Sequence, residues 1–378
     1  LWYAKPRHKD LLAEIDAYLM SARYAYAYLF YSGVAPYNRL FTDRQTQVRD
    51  YYNFAVQQAA TLLFAQSQRR WLQDPDVRLQ TQNWQVRSLL QHQRFRQQAL
   101  PQQLLAASSL SFQGLRNQYR RDGLGAELVA VGQDASVARN ERGFSELPVP
   151  VVTALLSFDG ATLEEVLASD QATLHLVDPL QQREVRIAGN PIPLAANFTA
   201  GYGLWLARSD FSRQAFWNLM GASDALAEPQ LFMLQPYDPN RKIIIMLHGI
   251  ASSPEAWVNT ANEVLGDETL REQYQLWQLY YPTNLPLIIN VQSIRQRILS
   301  TLQHFDPTGS AAASRDIVLI GHSMGGLLTR FLVSDSGDSL LQTISEQRRL
   351  DAQRRQQFFQ RFREDLTLTA LPGVSRAV

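Results

Sequence analysis

The segment "IVLIGHSMGGLL", residues 317–328, constrains the fold of this chain more than any other stretch of it. Four apolar residues run into a glycine-bearing polar knot, and a second apolar run follows at once. That pattern predicts a short buried strand, a sharp turn and a helix. Within the knot, Gly321-His322-Ser323-Met324-Gly325 satisfies G-x-S-x-G. A serine at such a turn is held in a strained backbone conformation that lifts its hydroxyl above the sheet. Side chains two residues to either side would collide with neighbouring backbone, hence glycine at both places. Gly326 is expected to add room for the helix to close on the strand. Ser323 is therefore the candidate nucleophile. The N–H of Met324, at a helix N-terminus where donors lack intrahelical acceptors, is a candidate oxyanion donor.

A second donor is sought on the same edge of the same sheet. "LHGIASS" supplies it: His248-Gly249-Ile250 ends an earlier apolar run, and a loop there opens at the carboxyl end of its strand, as the Ser323 turn does. The Ile250 N–H is the candidate, and His248 is expected to hold this loop by side-chain hydrogen bonds. His322 adjoins the nucleophile, but its side chain is expected to point away from the reacting face.

The surrounding pattern places these segments. From Lys242 the chain alternates strands, "IIIMLHG", "LWQLYYP" and "DIVLIGH", with helices between them, which predicts a doubly wound α/β layer over residues 236–378. Ser253 before Pro254 reads as a helix N-cap with Pro at the first position, and Trp257, Val258, Ala261, Val264 and Leu265 should face inward. Leu287, Val291, Ile294, Ile298, Leu302 and Phe305 form one apolar stripe of a further helix.

Upstream, helical spacing from His8 to about Ala107 predicts an α-helical region over residues 1–120, its second helix opened by a Thr42/Gln45 capping box and closed at Asp74-Pro75. Residues 121–235 read as a β-rich domain of short apolar runs, "AELVAV", "VPVVTALLSF", "ATLHLVDP", "REVRIAG", "GYGLWLAR" and "LFMLQPY". "PYDPNRK", residues 236–242, reads as a turn-rich hinge into the last part.

Composition narrows the function classes. With 46% hydrophobic and 19% charged residues, and no run of ~18 uninterrupted apolar residues, the sequence describes a globular chain rather than a membrane-spanning one. The absence of cysteine removes disulfides, thiolate nucleophiles and cysteine metal sites. The +1 net charge is unevenly spread: residues 1–120 hold 15 Lys and Arg against 7 Asp and Glu, so the first third is basic. Such a region can mark an anionic-membrane or nucleic-acid face, although arginines on solvated helix faces are the simpler reading. Tyr24, Tyr26, Tyr28 and Tyr31 fit core and interface packing rather than a nucleic-acid platform, because strand alternation and a glycine-bearing RNA-binding signature are missing. His175, with no partner at ligand spacing, is expected on an exposed strand face.

"MLHGIASSPEAW" and "VLIGHSMGGLL" resemble the α/β-hydrolase superfamily. "LQPYDPNRK" and "YYPTNLP" are similar to a narrower group of bacterial esterase and lipase-like proteins that carry a helical and β-rich extension before the hydrolase domain. The resemblance implies hydrolysis of a small-molecule or lipid carboxylic ester through a serine acyl-enzyme, with no metal or organic cofactor and no nucleic acid. The strand leading to His-Gly would be the third of the family, "LWQLYYP" the fourth, and the serine would follow the fifth. The family's acid and histidine come later.

No histidine follows Ser323; the six stand at 8, 92, 175, 248, 304 and 322. His304 is expected at the wrong edge of the sheet. Asp335, along a continuous helix, would lie about 18 Å from the serine; Asp338 is the other tempting acid. The base and acid are therefore expected beyond Val378, with "VSRAV" opening a sixth strand. The chain, which begins "LWYAKPRHKD" without Met, is expected to be a fragment cut at both ends. Residues 336–366, with Phe358, Phe362 and Leu366 at four-residue steps, could form a lid or a solvated surface helix. Thioesterases and acyltransferases share every visible part. A different class also stays open: a non-catalytic hydrolase-fold module that binds a partner or the cell envelope.

Overall fold

The computed structural model describes residues 10–32, 43–73, 78–90, 101–132, 143–147, 150–209 and 228–378. The chain is a mixed α/β protein of two compact units. Thr42, Asp74 and Pro75 lie outside the described residues.

The first unit comprises residues 1–113, 118–135 and 148–204. Helix α1 (Leu11–Tyr31) is capped by Asp10, whose carboxylate accepts the Leu12 N–H at 3.0 Å, and α2 (Asp43–Gln73) packs along it. A six-stranded sheet lies under them, in the order Arg78–Gln80, Gln85–Leu90, Gln171–Val177, Val151–Phe158, Ala126–Val131, Gln103–Ala106. Helices and sheet share one core, in which Tyr26, Trp84 and Phe158 meet edge to face. Tyr26 thus packs inward, whereas Tyr24 is 56% exposed.

This corrects the expected division into an α-helical region and a separate β-rich domain, since one core takes both. The stretch from Arg78 that was read as helical contains three strands of the sheet. Its inward face includes Thr81 and Ser88, so the two-residue alternation is carried partly by polar residues and escapes an apolar count. "GYGLWLAR" is likewise a helix, Phe198–Arg208, entered through Asn197, which accepts the Ala200 N–H at 3.0 Å.

The second unit comprises residues 114–117, 136–147 and 205–378. Its sheet contains β1 (Phe144–Glu146), β2 (Gln230–Met233), β3 (Lys242–Leu247), β4 (Tyr274–Tyr280), β5 (Ile317–Gly321) and β6 (Val374–Ala377), in the spatial order β6-β5-β3-β4-β2-β1. Strands β3 to β6 are mutually parallel, β2 is antiparallel to β4, and β1 is parallel to β2. "LFMLQPY", read as part of the β-rich domain, therefore contributes β2 to this second sheet. Residues 236–242 are an internal turn rather than a hinge: Gln275 donates to the carbonyls of Asp238 and Arg241 at 2.6 and 2.8 Å, and Arg241 pairs with Asp238 at 3.2 Å.

Residues 243–247 of β3 and 275–280 of β4 are buried throughout, as parallel strands covered on both faces require. One face carries helices α3 (Leu287–Phe305) and α4 (Met324–Leu332); Val291, Ile294, Ile298, Leu302, Leu328 and Leu332 close against Ile243, Ile245 and Leu247. The stripe read from the sequence is the one that packs. Ser253 precedes Pro254 at the head of a short 3-10 turn, Pro254–Trp257, without donating or accepting a cap bond, and the α-helix proper runs Val258–Gly266.

Candidate active site around Ser323

The ladder between β3 and β5 pairs Ile243 with Ile317 and continues to Leu247 opposite Gly321. The two strands thus end level, and the segments that follow them open on one edge. The connection out of β3 runs to β4 and the one out of its neighbour β5 runs to β6, so the two leave adjacent strands toward opposite sides. A crevice forms outside the carboxyl ends of strands at such a switch point.

Ser323 has φ +55° and ψ −118°, far from the regions an L-residue prefers. Strain of this kind costs about 1–3 kcal/mol and persists only where packing imposes it. The imposing contacts are backbone. A Cβ at Gly321 would stand 2.3 Å from the Gly325 carbonyl oxygen, and one at Gly325 would stand 2.3 Å from that of Leu247. Gly326 is a different case. A Cβ there would meet nothing closer than 3.5 Å, so the room expected from it is not required by the turn.

The turn leaves the serine uncommitted. Its position is that of an N-cap, yet its side chain makes no cap bond, because the Gly325 N–H is taken by the His322 carbonyl and the Gly326 N–H by the Ser323 carbonyl, both at 2.9 Å. Among the described residues the Ser323 hydroxyl has no hydrogen-bond partner and is exposed. The Met324 N–H and the Ile250 N–H likewise donate to no protein acceptor among the described residues.

The loop bearing Ile250 is fixed from below. His248 is fully buried; its Nδ1 lies 2.9 Å from the Gly249 carbonyl oxygen, and the Tyr281 N–H donates to its Nε2 at 3.3 Å. With Nε2 accepting, Nδ1 carries the proton and donates to Gly249, so the ring is neutral with both nitrogens engaged. Burial pushes its pKa down to about 4, against a smaller upward pull from the Gly249 hydrogen bond. The Tyr281 ring stacks on the imidazole at 4.3 Å, and the Tyr281 hydroxyl donates to the His248 carbonyl. Farther along, Ala251 takes φ +52° while its N–H donates to Thr283 Oγ1 at 3.2 Å. Asn290 in turn ties the segment after β4, donating to the Pro282 carbonyl at 2.9 Å.

Gly249 brings loop and turn together: a Cβ there would lie 3.2 Å from Ser323 Cβ and 3.2 Å from His322 Nδ1. Ser323, Gly249 and the Ile250 and Met324 segments therefore share one neighbourhood. Nucleophilic attack and charge stabilisation by paired N–H groups are the chemistry such a neighbourhood can perform. No family model, curated protein or solved structure matches the chain.

The remaining singled-out residues stand elsewhere. His322 is exposed, with its ring edge-on to Trp257 at 6.5 Å. His304 ends α3 beside Phe144 and Phe305, the edge of the sheet where β5 begins. Helix α4 stops at Leu332, so Asp335 is not on a continuous helix with the serine. Its carboxylate accepts the Ala370 N–H at 2.8 Å, and Asp338 is bound by Arg363 through two hydrogen bonds. Both acids are structural. His175 is half-buried rather than exposed: its Nε2 lies 2.8 Å from Ser157 Oγ on the neighbouring strand, and burial lowers its pKa to about 4. The helix Ala352–Leu366 exposes residues 352–357 and half-buries Phe358 and Phe362, which touch each other.

Tyr281, Thr283 and Asn290 are the supports that reading of the sequence missed. Tyr281 and Thr283 stand in "YYPTNLP", a polar, proline-bearing segment at the end of a buried strand, whereas Asn290 lies outside it in α3, where no local pattern marks it.

Proposed function

We propose that the second unit is the catalytic layer of an α/β-hydrolase and that the protein hydrolyses a carboxylic ester through Ser323. The observation that carries the reading is the strained serine with an uncommitted hydroxyl beside two uncommitted N–H groups. Ser323 Oγ attacks the ester carbonyl carbon and gives its proton to a general base. The carbonyl oxygen becomes an oxyanion held by the Ile250 and Met324 N–H groups, the bond to the alcohol oxygen breaks, and that oxygen leaves with the proton. Water then cleaves the acyl-serine by the same steps. His248 cannot be the base, since its Nδ1–H donates to Gly249 and its Nε2 lone pair accepts from Tyr281. In this reading the general base is a group other than His248, and no cofactor takes part.

The test is labelling of the full-length protein by a fluorophosphonate probe. Labelling is expected for wild type and lost in Ser323→Ala; labelling that survives in a folded Ser323→Ala variant overturns the assignment. Removing one oxyanion donor costs about 10²–10³ in rate. Gly249→Ala, which must push Ser323 or His322 aside by a few tenths of an ångström, is accordingly expected to slow turnover by about that factor. A second reading, a non-catalytic module that uses this fold to bind a partner, draws on the lack of a hydrogen-bonded base at Ser323 among the described residues. An unlabelled full-length protein favours it.

A further inference from the structure

The first unit holds a cleft of about 370 Å³ that the chemistry at Ser323 does not use. Its floor is the face of α1 that presents Ala13, Asp16, Met20 and Arg23, and its walls are the turn at Trp84 and the residues around Ser169. Asp16 is only 7% exposed, an uncommon state for a carboxylate. One of its oxygens accepts from the Asn83 amide at 2.6 Å, and the other has no partner among the described residues. Arg23 is fixed separately. Its Nη1 donates to the Ser169 carbonyl at 2.7 Å, its guanidinium lies 5.0 Å from the Trp84 ring centre, and its Nε has no partner.

Opposite charges lining one cleft would ordinarily pair. Here each is held by a different neighbour, Asp16 by the Asn83 amide and Arg23 by Ser169 and Trp84, and each keeps an unused hydrogen-bonding atom. A buried charge left partly uncompensated is costly unless a complementary group completes it. The group that completes both at once carries a cation and an anion. Asp170 also lines the cleft, so its lining holds the carboxylates of Asp16 and Asp170 against the Arg23 guanidinium and favours an ammonium over a second anion.

We infer that this cleft binds a small zwitterion of the α-amino-acid type, its ammonium against the Asp16 carboxylate and its carboxylate against the Arg23 guanidinium. The apolar Ala13 and Met20 leave space for a short aliphatic side chain.

The test is isothermal titration of the full chain with each of the twenty L-amino acids at up to ~10 mM, a range in which a bound ligand also raises stability measurably. At least one member is expected to bind. Its N-acetyl derivative, which lacks the ammonium, should bind about 10- to 100-fold more weakly, the loss of one charge-assisted hydrogen bond. Asp16→Asn should give a similar loss. Ala13→Leu fills the cleft without touching either charge and should abolish binding, which keeps the assignment testable should Asp16→Asn fail to fold. Silence from the whole panel would mean that the cleft holds only solvent and would overturn the inference. Equal binding of the acetylated and free amino acid, or undiminished binding by Ala13→Leu, would overturn it as well.

Discussion

Gly325 and Gly326 are neighbours in the chain with opposite roles. At Gly325 the absence of a side chain lets the first turn of α4 lie on the carbonyls of Leu247 and His248, and any Cβ would drive the helix off β3. Gly325→Ala is expected to destabilise the second unit by at least the ~1–3 kcal/mol of an overpacked core and to abolish labelling of Ser323. At Gly326 the nearest atom to a Cβ is 3.5 Å away and the residue is helical, so Gly326→Ala should be neutral or stabilise by up to ~1 kcal/mol through helix propensity. Chemical denaturation of the two variants side by side checks the contrast; equal effects would show that the turn is not held by the Gly325 contact. In the sequence Gly325 stands at the motif position and Gly326 just outside it. The motif specifies glycine two residues from the serine, whereas which glycine touches backbone depends on where the end of β3 lies.

Elements meet through a few polar side chains as well as through apolar faces. The strand Ala126–Val131 covers its neighbour only as far as Ala154, so Leu156 would present an unpaired backbone edge to the core. Tyr52 of α2 replaces the missing strand: its hydroxyl donates to the Leu156 carbonyl at 2.6 Å and accepts the Leu156 N–H at 3.0 Å. The adjacent Asn53 brackets the start of that strand, donating to the Gly123 carbonyl at 3.0 Å and accepting the Gly125 N–H at 2.7 Å. Tyr52→Phe keeps the ring and leaves both backbone groups buried without partners, so it should cost about 2–3 kcal/mol. Urea denaturation would read this, and a loss below ~0.5 kcal/mol would mean that water takes the hydroxyl's place. A helix-period count marks Tyr52 as an inward residue, but it cannot say that the tyrosine ends on a strand edge a hundred residues away.

At the scale of the whole molecule, two compact units predict unfolding that departs from a single two-state transition. Among the described residues, His175 in the first unit is half-buried and His248 in the second is fully buried, each neutral with pKa about 4 in the folded protein against about 6.5 unfolded. A depressed folded pKa means that the unfolded chain binds the proton first as pH falls. The stabilisation from the neutral ring is therefore complete above about pH 7, is lost progressively from about pH 6.5 to about 4, and changes no further below that. For the fully buried His248 the loss is about 3 kcal/mol. Urea unfolding at pH 7.5 and pH 4.5 should show it in the second unit, and His248→Gln should remove that pH dependence. A His248→Gln variant as pH-sensitive as wild type would place the titrating group elsewhere.

What the sequence determined by itself is local. The strand, strained turn and helix around Ser323 follow from sterics that act within a few residues, and the stripe of α3 follows from helical period. These were legible without knowledge of any distant contact. The sixth strand was legible too, as a short β-prone run at the end of the chain, and it pairs with β5. Only the tertiary structure decided the rest. It alone shows that residues 144–146 and 230–233 join the second sheet and that residues 78–80, 85–90 and 103–106 join the first. It also decides that the fully buried His248 is spent on Gly249 and Tyr281, and that Thr283 and Asn290 brace the loop presenting Ile250. Each of these depends on partners brought from far along the chain, whose pairing is set by which faces bury together, a property of the folded whole that neither period nor motif encodes.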